Sequence, residues 1–235
     1  MISPEWEAWY ANGGSIVGHY PAFERLIASH VVKADSILEL GAGLGATIPF
    51  IENAYGGYHG VDGSASAVDG LRNTFPQLAS RIKCADFCSD IPFDSGFDAV
   101  VDRASIAHNS LASIKSCLEL VWHALKPGGI FICSDWFSAS HSEVWRGEQV
   151  DDSMTRTGYP DGQFVNVGKV HFSSQSELAQ LFFMFDGVRI EERIVRRPGP
   201  SRIVPHPMKF RYVSEAFSDM DYCSAVWDII VRKSK

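Results

Sequence analysis

The sequence lacks long apolar runs, has few cysteines and shows no excess of basic charge. No window of about 18 uncharged apolar residues occurs, so we expect no membrane-spanning helix. The first residues, MISPEWEAWY, have neither a basic start nor an apolar core, so we expect no secretion signal. The formal net charge of -7 argues against sequence-independent binding of nucleic acid, which requires clustered lysine and arginine.

The basic residues that do occur are concentrated in one stretch, between Arg189 and Arg211. Its members are Arg193, Arg196, Arg197, Arg202, Lys209 and Arg211. Such a group of charges forms either a solvated rim of the domain or a patch that binds a phosphate or carboxylate of a substrate. The sequence leaves both interpretations open.

The cysteines are odd in number and contain no CxxC pair. They are Cys84, Cys88, Cys117, Cys133 and Cys223. Several lie in apolar, strand-like surroundings, where a free cysteine behaves as a small hydrophobic residue. This usage favours a reducing cytoplasm, and no His/Cys spacing predicts a metal site.

The most informative stretch is SILELGAGLGATIPF, residues 36–50. A short apolar strand from Ile37 to Leu40 ends at a glycine-rich turn and continues into a helix from Ala46 to about Ala54. Glycine permits positive φ and lets a ligand approach the backbone closely. Because the free N–H groups at the helix start favour an anion or a nucleotide, we interpret this turn as a cofactor site.

Strands and helices alternate along the rest of the chain. Further strands are predicted at Tyr58–Val61, Ile82–Cys84, Phe97–Val101, Ile130–Ser134, Val188–Val195 and Ser224–Arg232. Helices are predicted from about Ser64 to Phe75, Ser110 to Leu125 and Ser174 to Phe185. We therefore expect one α/β domain over residues 1–235, a mostly parallel sheet with helices on both faces and an antiparallel last pair of strands.

Three segments do not fit the alternating pattern. The N-terminal segment, residues 1–30, is rich in aromatic side chains, contains an amphipathic helix from Tyr20 to His30 and could close over a ligand. The stretches 137–170 and 197–221 are long and irregular, and we interpret them as loops that bind the substrate. Within the first of them, His141 to Glu148 is a candidate helix.

Acidic residues stand at the carboxyl ends of the predicted strands, where open parallel sheets bind ligands. Asp62 follows Gly41 by 21 positions, close to the roughly 20-residue offset at which a carboxylate binds ribose hydroxyls. Asp86 is suited to accept a hydrogen bond from an adenine amine, and Phe87 to pack against the ring. The pattern G-x-G-x-x-A from residue 41 also fits dinucleotide binding, so a nicotinamide-dependent oxidoreductase stays an alternative.

Five segments together resemble the class I S-adenosylmethionine-dependent methyltransferases. They are ILELGAGLG at 37–45, YHGVDGSASAV at 58–68, CADF at 84–87, FDAVVDRASIAH at 97–108 and ALKPGGIFICSDW at 124–136. The resemblance covers roughly residues 18–136, and the last two strands match in order only. It implies a Rossmann-like sheet of seven strands with an antiparallel last strand, and S-adenosyl-L-methionine as cofactor.

The resemblance also implies residue roles. The glycine turn would pass close to the methionine part of the cofactor, Asp62 would bind ribose, and Asp86 with Phe87 would bind adenine. Glu39 would organise the turn, and Asp102 with Arg103 would face the methionine end. The implied cofactor-binding set is Glu39, Gly41, Ala42, Gly43, Gly45, Asp62, Gly63, Ser64, Asp86, Phe87, Asp102 and Arg103.

Methyl transfer to a hydroxyl also needs a group that removes a proton. His108 follows the fourth strand on the cofactor side, and histidine titrates in a suitable range. A histidine that only packs at the start of a helix would show the same sequence pattern. Asp135 and His141 are further candidates, and His171 is a weaker one.

The resulting prediction is a methyltransferase that acts on a small molecule, at a hydroxyl group, in secondary or surface-glycan metabolism. Residues 102–105 lack the Asn/Asp-Pro-Pro-aromatic signature of enzymes that methylate nitrogens of nucleic acids or glutamine. We expect neither nucleic acid nor membrane as a partner, and a homodimer stays open. Besides the oxidoreductase, a cofactor-binding subunit without catalytic activity is the remaining alternative.

Overall fold

The computed structural model of the protein describes residues 3–14, 18–197 and 222–235. The α-helices are Pro4–Ala11 (α1), Pro21–His30 (α2), Ile48–Ala54 (α3), Ala65–Thr74 (α4), Leu111–Ala124 (α5) and Gln175–Leu181 (α6). Two 3₁₀ turns span Pro76–Arg81 and Ile106–His108. The first five strands are Ile37–Leu40 (β1), Tyr58–Asp62 (β2), Ile82–Cys84 (β3), Phe97–Arg103 (β4) and Leu125–Phe137 (β5). The others are Glu148–Gln149 (β6), Thr155–Thr157 (β7), Val170–His171 (β8), Asp186–Arg197 (β9) and Tyr222–Arg232 (β10).

Seven of these strands form one sheet in the order β3-β2-β1-β4-β5-β10-β9. Strands β1 to β5 pair in parallel, whereas β10 runs antiparallel to both β5 and β9. Strand order therefore reverses at β1, which lies between β2 and β4. The predicted mostly parallel sheet with an antiparallel last strand is confirmed, and ligands of such sheets bind where the order reverses.

Apolar side chains alternate between the two faces of the sheet and create two cores. In β1, Ile37 joins the core beneath α2, α3 and α4, while Leu38 and Leu40 join the core beneath α5 and α6. In β5, Ile130 and Ile132 likewise face the first core. Both faces of the central strands are thus covered by helices, which is why these strands are apolar throughout.

Stretch 137–170 is more regular than the sequence predicted. Strands β6, β7 and β8 form a small antiparallel sheet within it. The candidate helix from His141 to Glu148 is wrong, because the backbone forms turns there: Val144 N–H donates to His141 and Arg146 N–H to Glu143, each a step of three residues. An α-helix requires steps of four.

Two further predictions concern the second irregular stretch and membrane-spanning helices. Most of the second predicted loop, residues 198–221, lies outside the described residues, as do Arg202, Lys209 and Arg211 of the basic stretch. In the part of the chain that the structure describes, none of the helices has the length and apolar character needed to cross a membrane.

Candidate cofactor and acceptor site

A cavity of about 430 Å³ opens at the carboxyl ends of β1, β2 and β4. Its walls come from α1, the glycine turn after β1, the ends of β2 to β5, the 3₁₀ turn at Ile106–His108 and residues 163–167. Of the predicted cofactor-binding set, Gly45 and Asp102 do not line it and the other members do. The topology therefore gathers residues that lie far apart in the chain at one place.

The glycine turn brings bare backbone to the cavity. Gly41 has φ +63°, and an added Cβ would lie 2.2 Å from Cβ of Ser105. Gly43 has φ +54°, and a Cβ there would lie 2.8 Å from Tyr10 Oη. Gly45 instead packs against Leu71 of α4, away from the cavity. Any side chain at 41 or 43 would thus overlap Ser105 or Tyr10, and the positive φ also favours glycine at both positions.

Glu39 fixes the shape of this turn from inside the sheet. Its carboxylate is buried and accepts hydrogen bonds from Thr47 Oγ1, at the start of α3, and from Tyr58 Oη at 2.7 Å. Burial raises the pKa of Glu39 to about 7, although these two hydrogen bonds oppose the shift. Glu39 therefore ties β1, the turn and β2 together, as its predicted role requires.

Asp62, at the end of β2, lies directly beside the glycine turn. Its Oδ2 accepts from Gly43 N–H at 2.8 Å and its Oδ1 accepts from Ser64 N–H at 2.8 Å. Burial raises the pKa of this carboxyl above its ordinary value. A carboxylate oxygen can accept more than one hydrogen bond, so both oxygens keep capacity for ligand hydroxyls.

Asp86 and Phe87 line the cavity just past β3. Asp86 holds its own turn, because Oδ1 accepts from Cys88 N–H at 3.1 Å and Oδ2 accepts from Ser89 Oγ at 3.0 Å. The ring of Phe87 follows it in the same wall.

Arg103 reaches the cavity from the end of β4, while Asp102 turns into the core. Asp102 is fully buried and accepts from Cys133 Sγ at 3.0 Å and from Ser105 N–H at 3.2 Å. The guanidinium of Arg103 donates to Asp135 at 2.7 Å and lies 3.5 Å from the ring centre of Tyr20. Arg103 is thus held in one orientation at the cavity wall.

The other predicted acid–base residues lie elsewhere. Asp135 accepts from both Arg103 and Arg193, and these arginines lower its pKa even though burial alone would raise it. His141 is 1% exposed and packs behind Phe164, and neither Asp135 nor His141 lines the cavity. His171 is buried between Thr155 and Glu177.

His108 is the histidine that faces the cavity. Its Nδ1 lies 3.0 Å from the carbonyl oxygen of Lys169, so Nδ1 carries the proton and donates, and Nε2 keeps a lone pair. The ring packs edge-to-face between Trp6 and Phe137, at centre distances of 5.3 and 5.2 Å. Burial lowers the pKa of His108 to about 4, so the imidazole is neutral at physiological pH.

The sequence did not indicate how α1 reaches the cavity. Trp6 and Tyr10 of this helix line the wall, and Glu7 accepts hydrogen bonds from Ser64 Oγ at 2.6 Å and Ser66 Oγ at 2.5 Å. A carboxylate at this position also complements the N-terminus of α4. The aromatic composition of the N-terminal segment was the only available signal, and it did not specify which side chains face inward.

Fold and site together define an α/β domain that binds a nucleotide-type ligand at a glycine turn. Residues 37–129 match a family model described as a methyltransferase domain. No curated protein sequence matches the chain.

Solved structures extend the likeness to the whole chain. One is a chain from the complex of the Haloferax volcanii Trm112 methyltransferase activator with a candidate methyltransferase, at 19% identity, 100% coverage of both chains and TM-score 0.67. Another is an S-adenosylmethionine-dependent methyltransferase from Clostridium acetobutylicum, at 16% identity, 93% and 94% coverage and TM-score 0.61. A third, a Haemonchus contortus phosphoethanolamine N-methyltransferase in complex with S-adenosylhomocysteine, has 15% identity and TM-score 0.60, with coverage of 92% of this chain and 52% of that one.

Residues 37–129 therefore carry a methyltransferase domain, the fold is the one seen in S-adenosylmethionine-dependent methyltransferases, and both findings imply S-adenosyl-L-methionine as the cofactor. The antiparallel β10 agrees with this assignment. The match selects it over the nicotinamide-dependent alternative that the glycine pattern had left open.

Proposed function

We propose that this protein transfers the methyl group of S-adenosyl-L-methionine to a hydroxyl group of a small molecule. The observation that carries the proposal is the neutral imidazole of His108, which faces an aromatic-walled part of the same cavity as the glycine turn. A volume of about 430 Å³ falls within the range of roughly 300–1,000 Å³ of small-ligand sites.

The cavity has two parts with different chemistry. The cofactor half is lined by Gly41, Ala42, Gly43, Asp62, Gly63, Ser64, Asp86 and Phe87. The acceptor half is lined by Trp6, His108, Phe137, Gln163 and Phe164. Backbone and carboxylates dominate the first and aromatic rings the second, which suits a polar nucleoside next to a largely apolar acceptor.

The residues of the cofactor half fit S-adenosyl-L-methionine. The turn at Gly41 and Gly43 lines the cavity and has no room for a Cβ beside Ser105 and Tyr10, and Asp62 offers carboxylate oxygens for ribose hydroxyls. Asp86 and Phe87 would contact adenine, and Arg103, held by Asp135, would lie towards the methionine end. Gly45 and Asp102 would support this half from the core, because they pack beneath it.

When bound, the cofactor supplies an electrophilic methyl group on a positively charged sulfur. The chain must orient the acceptor, exclude water and receive one proton. His108 Nε2 is the atom that would accept the hydrogen bond of the acceptor hydroxyl, and the carbonyl of Lys169 keeps the ring in the required tautomer. Trp6 and Phe137 pack edge-to-face on either side of the imidazole and hold it in place.

Calorimetry with S-adenosylmethionine and S-adenosylhomocysteine tests the cofactor half. Transfer of a labelled methyl group to a panel of alcohols, phenols, amines and thiols tests the acceptor half. We expect labelled hydroxyl products, and His108→Ala should lower turnover by ~10²-fold or more with little change in cofactor affinity. Methylation confined to amines or thiols would contradict the proposal. Cofactor binding without transfer to any member would instead support a non-catalytic subunit.

A further inference from the structure

A buried polar cluster lies directly behind the aromatic wall of the acceptor half. It joins His141, Glu143, Gln163 and Tyr222, which come from two turns of stretch 137–170 and from the start of β10. His141 and Glu143 are at most 1% exposed. Gln163, alone among the four, also lines the cavity. The cluster therefore connects the interior to one side chain that an acceptor would touch.

The backbone determines which nitrogen of His141 carries the proton. Glu143 N–H donates to His141 Nδ1 at 3.1 Å, so Nδ1 must be the acceptor. A neutral imidazole then carries its hydrogen on Nε2. Burial lowers the pKa of His141 to about 4, which keeps the ring neutral. His141 is therefore a hydrogen-bond donor at Nε2 and only there.

The orientation of the Gln163 amide follows from this tautomer. His141 Nε2 lies 3.4 Å from Gln163 Oε1, and the Nε2–H needs an acceptor, which the amide oxygen provides and the amide nitrogen cannot. The hydroxyl of Tyr222 also approaches Gln163 Oε1, at 3.3 Å, and it donates to Glu143 at 2.7 Å. The amide oxygen of Gln163 therefore accepts its hydrogen bonds from the buried cluster, on the side away from the cavity.

Glu143 holds the backbone of the same residue. Both of its carboxylate oxygens accept from Gln163 N–H, at 3.0 Å each. The preceding Gly162 has φ +91°, and an added Cβ would lie 2.3 Å from Glu143 Oε2, so this close approach requires glycine. Main chain and side chain of Gln163 are therefore both fixed from behind.

We infer that Gln163 determines acceptor specificity by presenting its amide N–H₂ to the acceptor half, and that the acceptor is a flat, unsaturated molecule with an oxygen that accepts this hydrogen bond. His141 is the positioning residue that sets the direction of the amide. The edge-to-face contacts of Phe164 with Phe137 and of Phe137 with His108, at 4.8 and 5.2 Å, form the apolar wall against which such a molecule would lie. The inference rests on the proposed function.

Two phenols of nearly equal shape separate a hydrogen-bonding oxygen from mere apolar fit. 4-Hydroxyacetophenone has a carbonyl where 4-ethylphenol has a methylene group. With S-adenosylhomocysteine saturating, calorimetry or ligand-observed NMR on the wild-type protein should give at least ~5-fold tighter binding of the ketone, the value of about one hydrogen bond. Equal affinities, or no binding of either phenol, would overturn the inference.

Variants of Gln163 test the direction of the amide. Gln163→Leu should reduce the ratio of affinities to about one, and Gln163→Glu should invert it, because a carboxylate would face the carbonyl oxygen. S-adenosylhomocysteine affinity should stay within ~2-fold of wild type in both, because Gln163 lies in the other half. If the wild-type protein does not bind S-adenosylhomocysteine, the proposed function is contradicted. Failure of the proposed function is therefore distinguishable from failure of the inference about Gln163.

Variants of His141 test whether the amide is positioned from behind. His141→Gln retains a donor towards Gln163 and should keep the preference for the ketone. His141→Leu removes the donor, lets the amide rotate and should lower the preference to less than half of the wild-type ratio. A role of His141 in packing alone would lower affinity for both phenols equally, and that result would overturn the positioning role.

Discussion

The two halves of the cavity are built by different kinds of contact. In the cofactor half, Asp62 is bound by the backbone N–H groups of Gly43, 19 positions before it, and of Ser64, 2 positions after it. In the acceptor half, Gln163 depends on side chains of His141 and Tyr222, the latter 59 positions away. The glycine turn and Asp62 in the first half belong to one local unit of β1, α3 and β2, whereas the contacts of Gln163 in the second half come from distant segments.

This difference indicates what each half can tolerate. A site made of backbone and carboxylates depends on φ angles and on close packing at glycine, so single substitutions there should be severe. A site made of side-chain contacts can be rebuilt by changing those side chains, which suits variation in acceptor choice. The following predictions test this contrast, starting with the largest effect.

The strongest expected effect is at Gly41. Gly41→Ala places a Cβ 2.2 Å from Ser105 at a φ of +63°, so the turn must move. We expect a loss of about 3 kcal/mol in cofactor binding, roughly 100-fold, measured by calorimetry with S-adenosylhomocysteine. Gly56→Ala is the matched control, because Gly56 has φ +70° but nothing within 4 Å of an added Cβ. Equal losses in both variants would show that backbone strain at positive φ, and not the overlap with Ser105, weakens cofactor binding.

Removal of the carboxylate at the end of β2 should have the next largest effect. Asp62→Ala should weaken cofactor binding by about 2 kcal/mol, because charge-assisted hydrogen bonds are lost and the turn loses the acceptor of Gly43 N–H. The same calorimetric titration measures it. Asp69→Ala, an exposed carboxylate on the following helix, serves as control. Unchanged affinity in Asp62→Ala would remove the ribose-binding role.

Acidification should destabilise the acceptor half through His141. Its pKa falls from 6.5 to about 4 on folding, so between these values the unfolded chain binds a proton that the folded chain does not. The stability that neutral His141 contributes is therefore constant above pH 6.5 and is lost as the pH falls towards 4. Denaturant titrations at a series of pH values give the free energy of unfolding as a function of pH. In this window its slope should be smaller in His141→Gln than in wild type, by up to about 1.4 kcal/mol per pH unit. Parallel curves would show that His141 contributes nothing in this window.

The smallest predicted effect concerns α1. Glu7→Gln weakens the bonds to Ser64 and Ser66 that hold this helix over the cavity. We expect about 1 kcal/mol weaker cofactor binding, seen mainly as faster dissociation in stopped-flow experiments. Glu5→Gln makes the same charge change on the same helix at an exposed position, where the carboxylate accepts a hydrogen bond from Ser3 Oγ. If both variants behave alike, the contact of Glu7 with α4 does not hold the helix in place.

Sequence analysis located the turn after β1 and the residues around it because the determinants of this unit are local. The apolar β1, the glycines after it and an acidic residue about 20 positions on form one pattern, and each member keeps its place in the structure. Gly45 and Asp102 were predicted as cofactor contacts and instead support the site from the core. Side-chain direction at the end of a strand separates Asp102 from Arg103, and residue type alone does not reveal it.

The acceptor half was harder to predict from the sequence because its determinants are not local. His108 was singled out, but nothing in its spacing indicated that Lys169 fixes its tautomer. His141 was expected at the site and lies one layer behind it, where it orients Gln163, a residue without any local motif. Long-range side-chain contacts leave no periodic trace in a chain.

The sequence by itself determined the strands and helices of the mostly parallel sheet and the glycine turn with its carboxylate, because hydrophobic periodicity and backbone conformation act over a few neighbouring residues. Only the tertiary structure decided which aromatic rings enclose the acceptor half, which nitrogen of each histidine carries the proton and which atoms of Gln163 face inward. Those choices depend on hydrogen-bond partners that meet only when distant segments pack together.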